Sequence, residues 1–236
     1  MKPIISKVMI YISPPFGNWV WHKDCIRVRG TFTTERRPGL IIQCLKTLRK
    51  VDGGWRNAIG FRNPGLENIE FKQDSIYSIA ALDSKWYKLF GKLDEDINIE
   101  INVGCPNVNS YSITRSELKM LHHHYPNCSV KVSPHVTNKF LDILQSVGFK
   151  YIHLSNTLPT KKGGVSGAKL KKKNLQLVKF VSKNYNFEII AGGGIYTPQD
   201  VRDYAEAGAK HFSLSTIWFT PWRVKKVIEE IKRVGK

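Results

Sequence analysis

Eight short runs rich in β-branched and aromatic residues recur along this chain, at positions 7–13, 25–32, 75–82, 97–103, 128–134, 149–155, 187–193 and 210–216. Such runs read as strands, and the later ones alternate with segments of helical period at 114–124, 137–147, 171–184, 198–207 and 221–233. Thr137 stands where an N-cap is needed, and Thr197 followed by Pro198 puts proline at a first helical position. Strands that alternate with helices pair in parallel through right-handed crossovers, and eight such units close a barrel. The expected fold is therefore α/β, a (β/α)8 TIM barrel, with residues 1–236 as a single barrel domain.

One interval breaks the rule. Only eleven residues separate Ser13 from Cys25, whereas a parallel crossover with its helix needs about a dozen or more. The first helix is expected to be shortened or missing. Either the barrel is irregular there, or residues 18–30 form a local hairpin in place of a second barrel strand.

Barrels of this kind collect their chemistry at the carboxyl ends of the strands. The sequence places its glycine, asparagine and cysteine clusters at those positions: Gly104-Cys105-Pro106-Asn107, Asn156-Thr157 and Gly192-Gly193-Gly194. With 42% hydrophobic and 24% charged residues the chain has enough apolar material for a core, which excludes a disordered class. No apolar run approaches the roughly 20 residues that span a bilayer, and the amino terminus lacks the pattern of a signal peptide. A cytoplasmic protein without a membrane partner is expected. Four irregularly spaced cysteines, Cys25, Cys44, Cys105 and Cys128, read as free thiols. His122, His123 and His124 are consecutive on a predicted helix and point in different directions, so no metal site is expected. The net charge of +18 exceeds what a small anionic ligand requires and raises nucleic acid as a candidate partner, although a solvated basic face is the plainer explanation.

In order along the chain, several motifs resemble the dihydroorotate dehydrogenase family, in its soluble, cysteine-base class. They are Thr31-Phe32-Thr33-Thr34, the loop Asn57-Ala58-Ile59-Gly60-Phe61 with Asn63-Pro64-Gly65, and Asn102-Val103-Gly104-Cys105-Pro106-Asn107. Lys131, Asn156-Thr157, the segment Gly163-Gly164-Val165-Ser166-Gly167, the glycine triplet with Asp200, and Ser215-Thr216 follow. The resemblance implies an FMN-linked barrel that oxidises dihydroorotate, or a related dihydropyrimidine, to orotate in pyrimidine biosynthesis. It implies Cys105 as the base, and Asn57, Asn102, Asn107, Asn156 and Thr157 as substrate ligands. Amides suit a ring that presents both donors and acceptors. Ser13, Lys131, Gly167, Gly192, Gly193, Gly194, Ser215 and Thr216 are implied to bind FMN, Lys131 as a cation at the electron-rich edge of the flavin and the glycines as bare amides for its phosphate. A homodimer is compatible with this family.

Two departures bear on activity. The family's lysine before Thr31 aligns with Gly30, and the flavin loop after the first strand reads Ser13-Pro14-Pro15, where proline offers no amide donor. They motivate a second reading, a catalytically degenerate barrel that binds a nucleotide, nucleic acid or protein. Asn102, Gly104, Cys105 and Pro106 also satisfy the N-x-G-C-P loop of the tRNA dihydrouridine synthases, a third reading that suits the charge.

Overall fold

The computed structural model describes residues 8–80, 82, 93, 97–103 and 112–236. Eight strands close a barrel in the order β1 (Ile10–Ile12), β12 (His211–Leu214), β11 (Glu188–Gly192), β8 (Tyr151–Leu154), β7 (Ser129–Val132), β6 (Asn98–Asn102), β5 (Ser75–Ala80) and β2 (Ile26–Phe32). All eight pairings are parallel, and each strand falls within one of the eight predicted runs. Helices α2 (Arg115–His124), α3 (Asn138–Val147), α4 (Lys171–Asn184), α5 (Pro198–Glu206) and α6 (Pro221–Val234) agree with the sequence to within a residue.

Their caps explain the sharp starts. Thr137 accepts from the Phe140 amide, and Thr197 and Asp200 satisfy one another's backbone in a capping box with Pro198 at the first turn. The apolar stripes of these helices, such as Leu118 and Leu121, Leu141 and Leu144, and Val227 and Ile231, pack on the outward residues of the strands to form the main core. A smaller cluster of Tyr11, Val28 and Ile190 fills the barrel itself.

The short β1–β2 connection resolves in favour of an irregular barrel. Residues 16–18 form a single 3-10 turn in place of the first helix, and β2 pairs with both β1 and β5 as a true barrel strand. A second layer was not legible in the sequence. Helix α1 (Leu40–Thr47) precedes a four-stranded antiparallel sheet in the order β3 (Arg49–Val51), β4 (Gly54–Asn57), β10 (Gly163–Gly167), β9 (Leu158–Thr160). It joins the excursion after β2 to the excursion after β8 and stands beside the carboxyl ends of the barrel strands. No helix among the described residues is long and apolar enough to cross a membrane.

Candidate active site

Strand alternation decides what the barrel interior holds. Ser78, Glu100, Lys131 and His153 all face inward, while their neighbours Ile79, Ile101, Val130, Val132, Ile152 and Leu154 face the helices. Lys131 is thus turned into the barrel and only 7% exposed, not out to solvent. Its Nζ lies 4.0 Å from Glu100 Oε1, and Glu100 Oε2 lies 2.6 Å from His153 Nδ1. Burial alone would raise the Glu100 pKa. The Lys131 ammonium and His153, with hydrogen bonds from His153 and Ser78, instead pull it down to about 2. Burial lowers His153, and the Lys131 charge adds to that, so its neutral ring donates from Nδ1 to an ionised Glu100. Among the described residues, His153 Nε2 and Glu100 Oε1 have no hydrogen-bond partner.

Above this charged layer a cavity of about 410 Å3 opens between the barrel mouth and the small sheet, a size that suits a small-molecule site. A chain of polar groups crosses its floor. Ser78 Oγ and Thr31 Oγ1 are 3.1 Å apart, Asn102 Nδ2 donates to Thr31 Oγ1 at 3.2 Å, and Asn156 Nδ2 donates to Asn102 Oδ1 at 3.2 Å. The Thr157 amide donates to Asn156 Oδ1 at 2.9 Å, and Thr157 Oγ1 is buried without a partner among the described residues. Aromatic rings form one wall: Trp55 lies against Phe219 at 4.3 Å and 34°, and Phe16 meets Phe219 edge-on at 4.9 Å. Two cations, Arg62 and Lys131, and no carboxylate are among the described residues that line the cavity.

Of the residues implied by the motifs, Asn57, Asn102, Asn156, Thr157, Lys131, Ser215 and Thr216 line this one cavity. Cys105 and Asn107 lie outside the described residues. Ser13, Gly167, Gly192, Gly193 and Gly194 are not among the lining residues. Ser13 is buried with its hydroxyl 2.5 Å from that of Ser213. The glycine triplet packs on the start of α4: a Cβ on Gly193 would stand 2.5 Å from Asn174 Nδ2, and one on Gly194 2.9 Å from Lys171 Cβ. Close packing therefore accounts for these glycines on its own. Asn63 serves its own loop, accepting from Gly65 N and donating to Thr33 Oγ1 and Phe61 O.

Position 30 has no space for the expected lysine. Gly30 has φ +114°, and a Cβ there would lie 2.5 Å from the Ser78 carbonyl oxygen. Sequence reasoning missed Asn18, Trp55, Phe219, Glu100 and His153. It also passed over Arg62, although that residue stands inside the quoted loop motif.

A family model described as dihydroorotate dehydrogenase matches residues 85–234. The catalytic subunit of dihydroorotate dehydrogenase B (NAD(+)) from Bacillus mycoides strain KBAB4 is 30% identical over 218 residues, which cover 76% of this chain and 71% of that protein. Its counterpart from Bacillus cereus strain AH187 is 29% identical over the same span. Among solved structures, DHODH from Eimeria tenella in complex with ferulenol matches with a TM-score of 0.67 at 16% identity, over 94% of this chain and 80% of that one. The ligand-free form from the same organism matches at 0.67 and 18%, over 86% and 75%. These structures bear on the fold.

Proposed function

Because this chain belongs to the dihydroorotate dehydrogenase family, we propose that its cavity oxidises dihydroorotate, or a close dihydropyrimidine, with FMN as cofactor. The observation that carries this reading is the convergence of Asn57, Asn102, Asn156, Thr157 and Lys131, from four different strands and loops, on one cavity. The residues present fit a flavin. The cavity offers an aromatic wall to a flat ring system, a buried cation to its electron-rich edge, and in Thr157 Oγ1 a buried hydroxyl that still lacks a partner. The two Bacillus relatives are dihydroorotate dehydrogenase catalytic subunits, which favours this reading over the tRNA-directed and binding-only ones.

The reaction needs a proton taken from one ring carbon and a hydride from its neighbour. Bound flavin would supply the hydride acceptor. The protein's share is orientation and proton transfer. Asn57, Asn102 and Asn156 hold the pyrimidine edge, with Asn107 assigned to the same task, and the Asn102–Asn156 bond fixes both amides against rotation. Cys105, three residues beyond β6 in the sequence, is the base that takes the proton, and a thiol does so only as thiolate. Lys131 keeps a positive charge at the floor, held by Glu100, and that charge stabilises negative charge that develops above it. Ser215 and Thr216 would hold the flavin from the cavity wall, and Ser13, Gly167, Gly192, Gly193 and Gly194 are assigned to the backbone around its phosphate.

Reconstitution with FMN tests the reading. The loaded protein is expected to absorb in the near ultraviolet and blue and to bleach without oxygen when dihydroorotate is added. A protein that takes up no FMN, or a flavin that dihydroorotate leaves oxidised, overturns it.

A further inference from the structure

The charged layer beneath the cavity holds a basic nitrogen with nothing bonded to it. An ionised Glu100 can only accept, so His153 donates to it from Nδ1 at 2.6 Å, and the lone pair of the neutral ring lies on Nε2. Among the described residues Nε2 has no partner. His153 and Glu100 are each 1% exposed and do not line the cavity, whereas Lys131 does. The three side chains form a file that leads inward from the cavity floor: Lys131 Nζ, the Glu100 carboxylate 4.0 Å behind it, then the His153 ring. A buried histidine with both ring nitrogens satisfied is a core residue, but one with an open lone pair calls for another account.

The charge of the layer decides what that lone pair can do. Lys131 and Glu100 cancel, so a proton on Nε2 would make the layer positive. Burial and the Lys131 ammonium oppose that proton, while the Glu100 carboxylate at Nδ1 favours it. The other neighbours leave the balance to these two groups. Lys131 of β7 and Ile190 of β11 stand beside His153 in register, and Ser78 of β5 bonds to Glu100. Further down the barrel, Tyr11 of β1 turns its hydroxyl to Met9 Sδ, and the ring of Tyr151 meets that of His211. His211 of β12 is engaged at both nitrogens, by the Met9 amide and by Glu188. A negative charge set against Lys131 from the cavity would cancel the opposition. A unit charge within roughly 10 Å, at an effective dielectric of about 20, changes a proton affinity by about tenfold or more.

We propose that His153 is a positioning residue that acts through Glu100 and Lys131: its Nε2 takes up one proton from solvent when flavin in the cavity is reduced, and returns it on reoxidation. The inference rests on the reading of the cavity as a flavin site. Two electrons and one proton delivered to the flavin leave it one charge more negative, and the second proton, on the imidazole, restores the charge of the site. This proton is separate from the one that Cys105 takes from the substrate.

The reduction potential of FMN bound to the full chain, measured against pH with a reference dye, tests this without substrate. For a two-electron couple, each proton taken up converts a tenfold change in proton activity into about 30 mV. The unsubstituted protein is expected to show a limb of about 60 mV per pH unit on the acid side of neutrality and about 30 mV per pH unit on the alkaline side. The spectrum of the reduced flavin should keep its shape along both limbs. His153→Asn and His153→Gln should each show about 30 mV per pH unit throughout. A single shallow slope in the unsubstituted protein overturns the proposal and needs no variant. So does a steep limb that both variants retain, or a reduced-flavin spectrum that changes along it, which puts the second proton on the flavin. A protein that takes up no FMN overturns the flavin reading and this inference together. Bound, reducible FMN with one shallow slope leaves that reading standing and removes only the part of His153.

Discussion

Asn18 clasps the backbone of Gly30 with both ends of its amide: Nδ2 donates to the Gly30 carbonyl at 3.0 Å, and Oδ1 accepts from the Gly30 amide at 2.9 Å. This pair ties the 3-10 turn that replaces the first barrel helix to the carboxyl end of β2. It thereby fixes the stretch of backbone that forms one side of the cavity. A connection too short for a packed helix is held by two hydrogen bonds instead.

Asn18→Ala leaves both backbone groups of Gly30 without these partners. The expected loss is about 1–3 kcal/mol, the range for stranding partly buried polar groups. A urea titration followed by circular dichroism reads it as a lower midpoint with an unchanged slope. An unaltered midpoint would mean that water replaces the clasp at no cost.

Gly30→Lys is expected to destabilise the protein and to confer no turnover. The side chain needed in that position meets the Ser78 carbonyl at its first carbon, and the backbone there has φ +114°. Forcing bulk into such a site costs roughly 1–3 kcal/mol or more. Gly30→Ala is the control, because it carries the same clash without the charge and should destabilise as well. A stable Gly30→Lys protein with dihydroorotate-dependent flavin bleaching would refute this account of the position.

The strands were legible because eight runs of β-branched residues carry their own signal and their helices carry Thr137, Thr197 and Pro198 at the starts. The small sheet was not. Its strands are three to five residues long, three of the five residues of β10 are glycine, and pairings such as Gly164 with Asn57 join segments far apart in sequence. Helix α1 follows Gly39, which offers no side chain to cap it. In the site, Asn102, Asn156 and Lys131 were found through motifs at strand ends. Glu100 and His153 form a pair only through barrel register, 53 residues apart, so no local pattern announces them.

That pair makes stability depend on acid. Both groups have folded pKa values below their ordinary ones: His153 below 6.5, and Glu100 at about 2 against 4.5. A depressed value means that the unfolded chain binds the proton more readily, so each group's contribution is present above its unfolded pKa and is lost as pH falls. The urea midpoint is expected to begin falling near pH 6.5 through His153, and again from pH 4.5 toward pH 2 through Glu100. His211, also lowered by burial, adds to the upper limb. His153→Asn should shrink the upper limb and, because it removes one of the partners that hold Glu100 low, reduce the lower one as well. At neutral pH, Glu100→Gln strands the Lys131 charge inside the barrel and is expected to cost roughly 3–5 kcal/mol, whereas Glu100→Leu/Lys131→Met should recover much of that loss. A flat midpoint from pH 7 to pH 3 would show that neither group is buried in its unprotonated form.

Arg62 is the cavity cation with a donor left for an anion. Lys131 already answers to Glu100, while among the described residues Arg62 Nε is buried with no partner and only its Nη1 reaches an acceptor, the Pro38 carbonyl, at 3.3 Å. A guanidinium with an open donor, on a residue that lines a cavity no described acid lines, is suited to a carboxylate. It supplies, from the Asn57 to Gly65 loop, a cation that position 30 cannot. Orotate and uracil differ by one carboxylate, so calorimetric titration of FMN-loaded protein with each isolates the contribution. Arg62→Leu is expected to weaken orotate by about tenfold, the equivalent of roughly 1.5 kcal/mol for a charged hydrogen bond, and to leave uracil unchanged. Arg62→Lys should recover part of the loss, since it restores charge without the planar fork. Equal weakening of both ligands would mean that Arg62 only shapes the loop, and an unchanged orotate affinity would move the carboxylate elsewhere in the cavity.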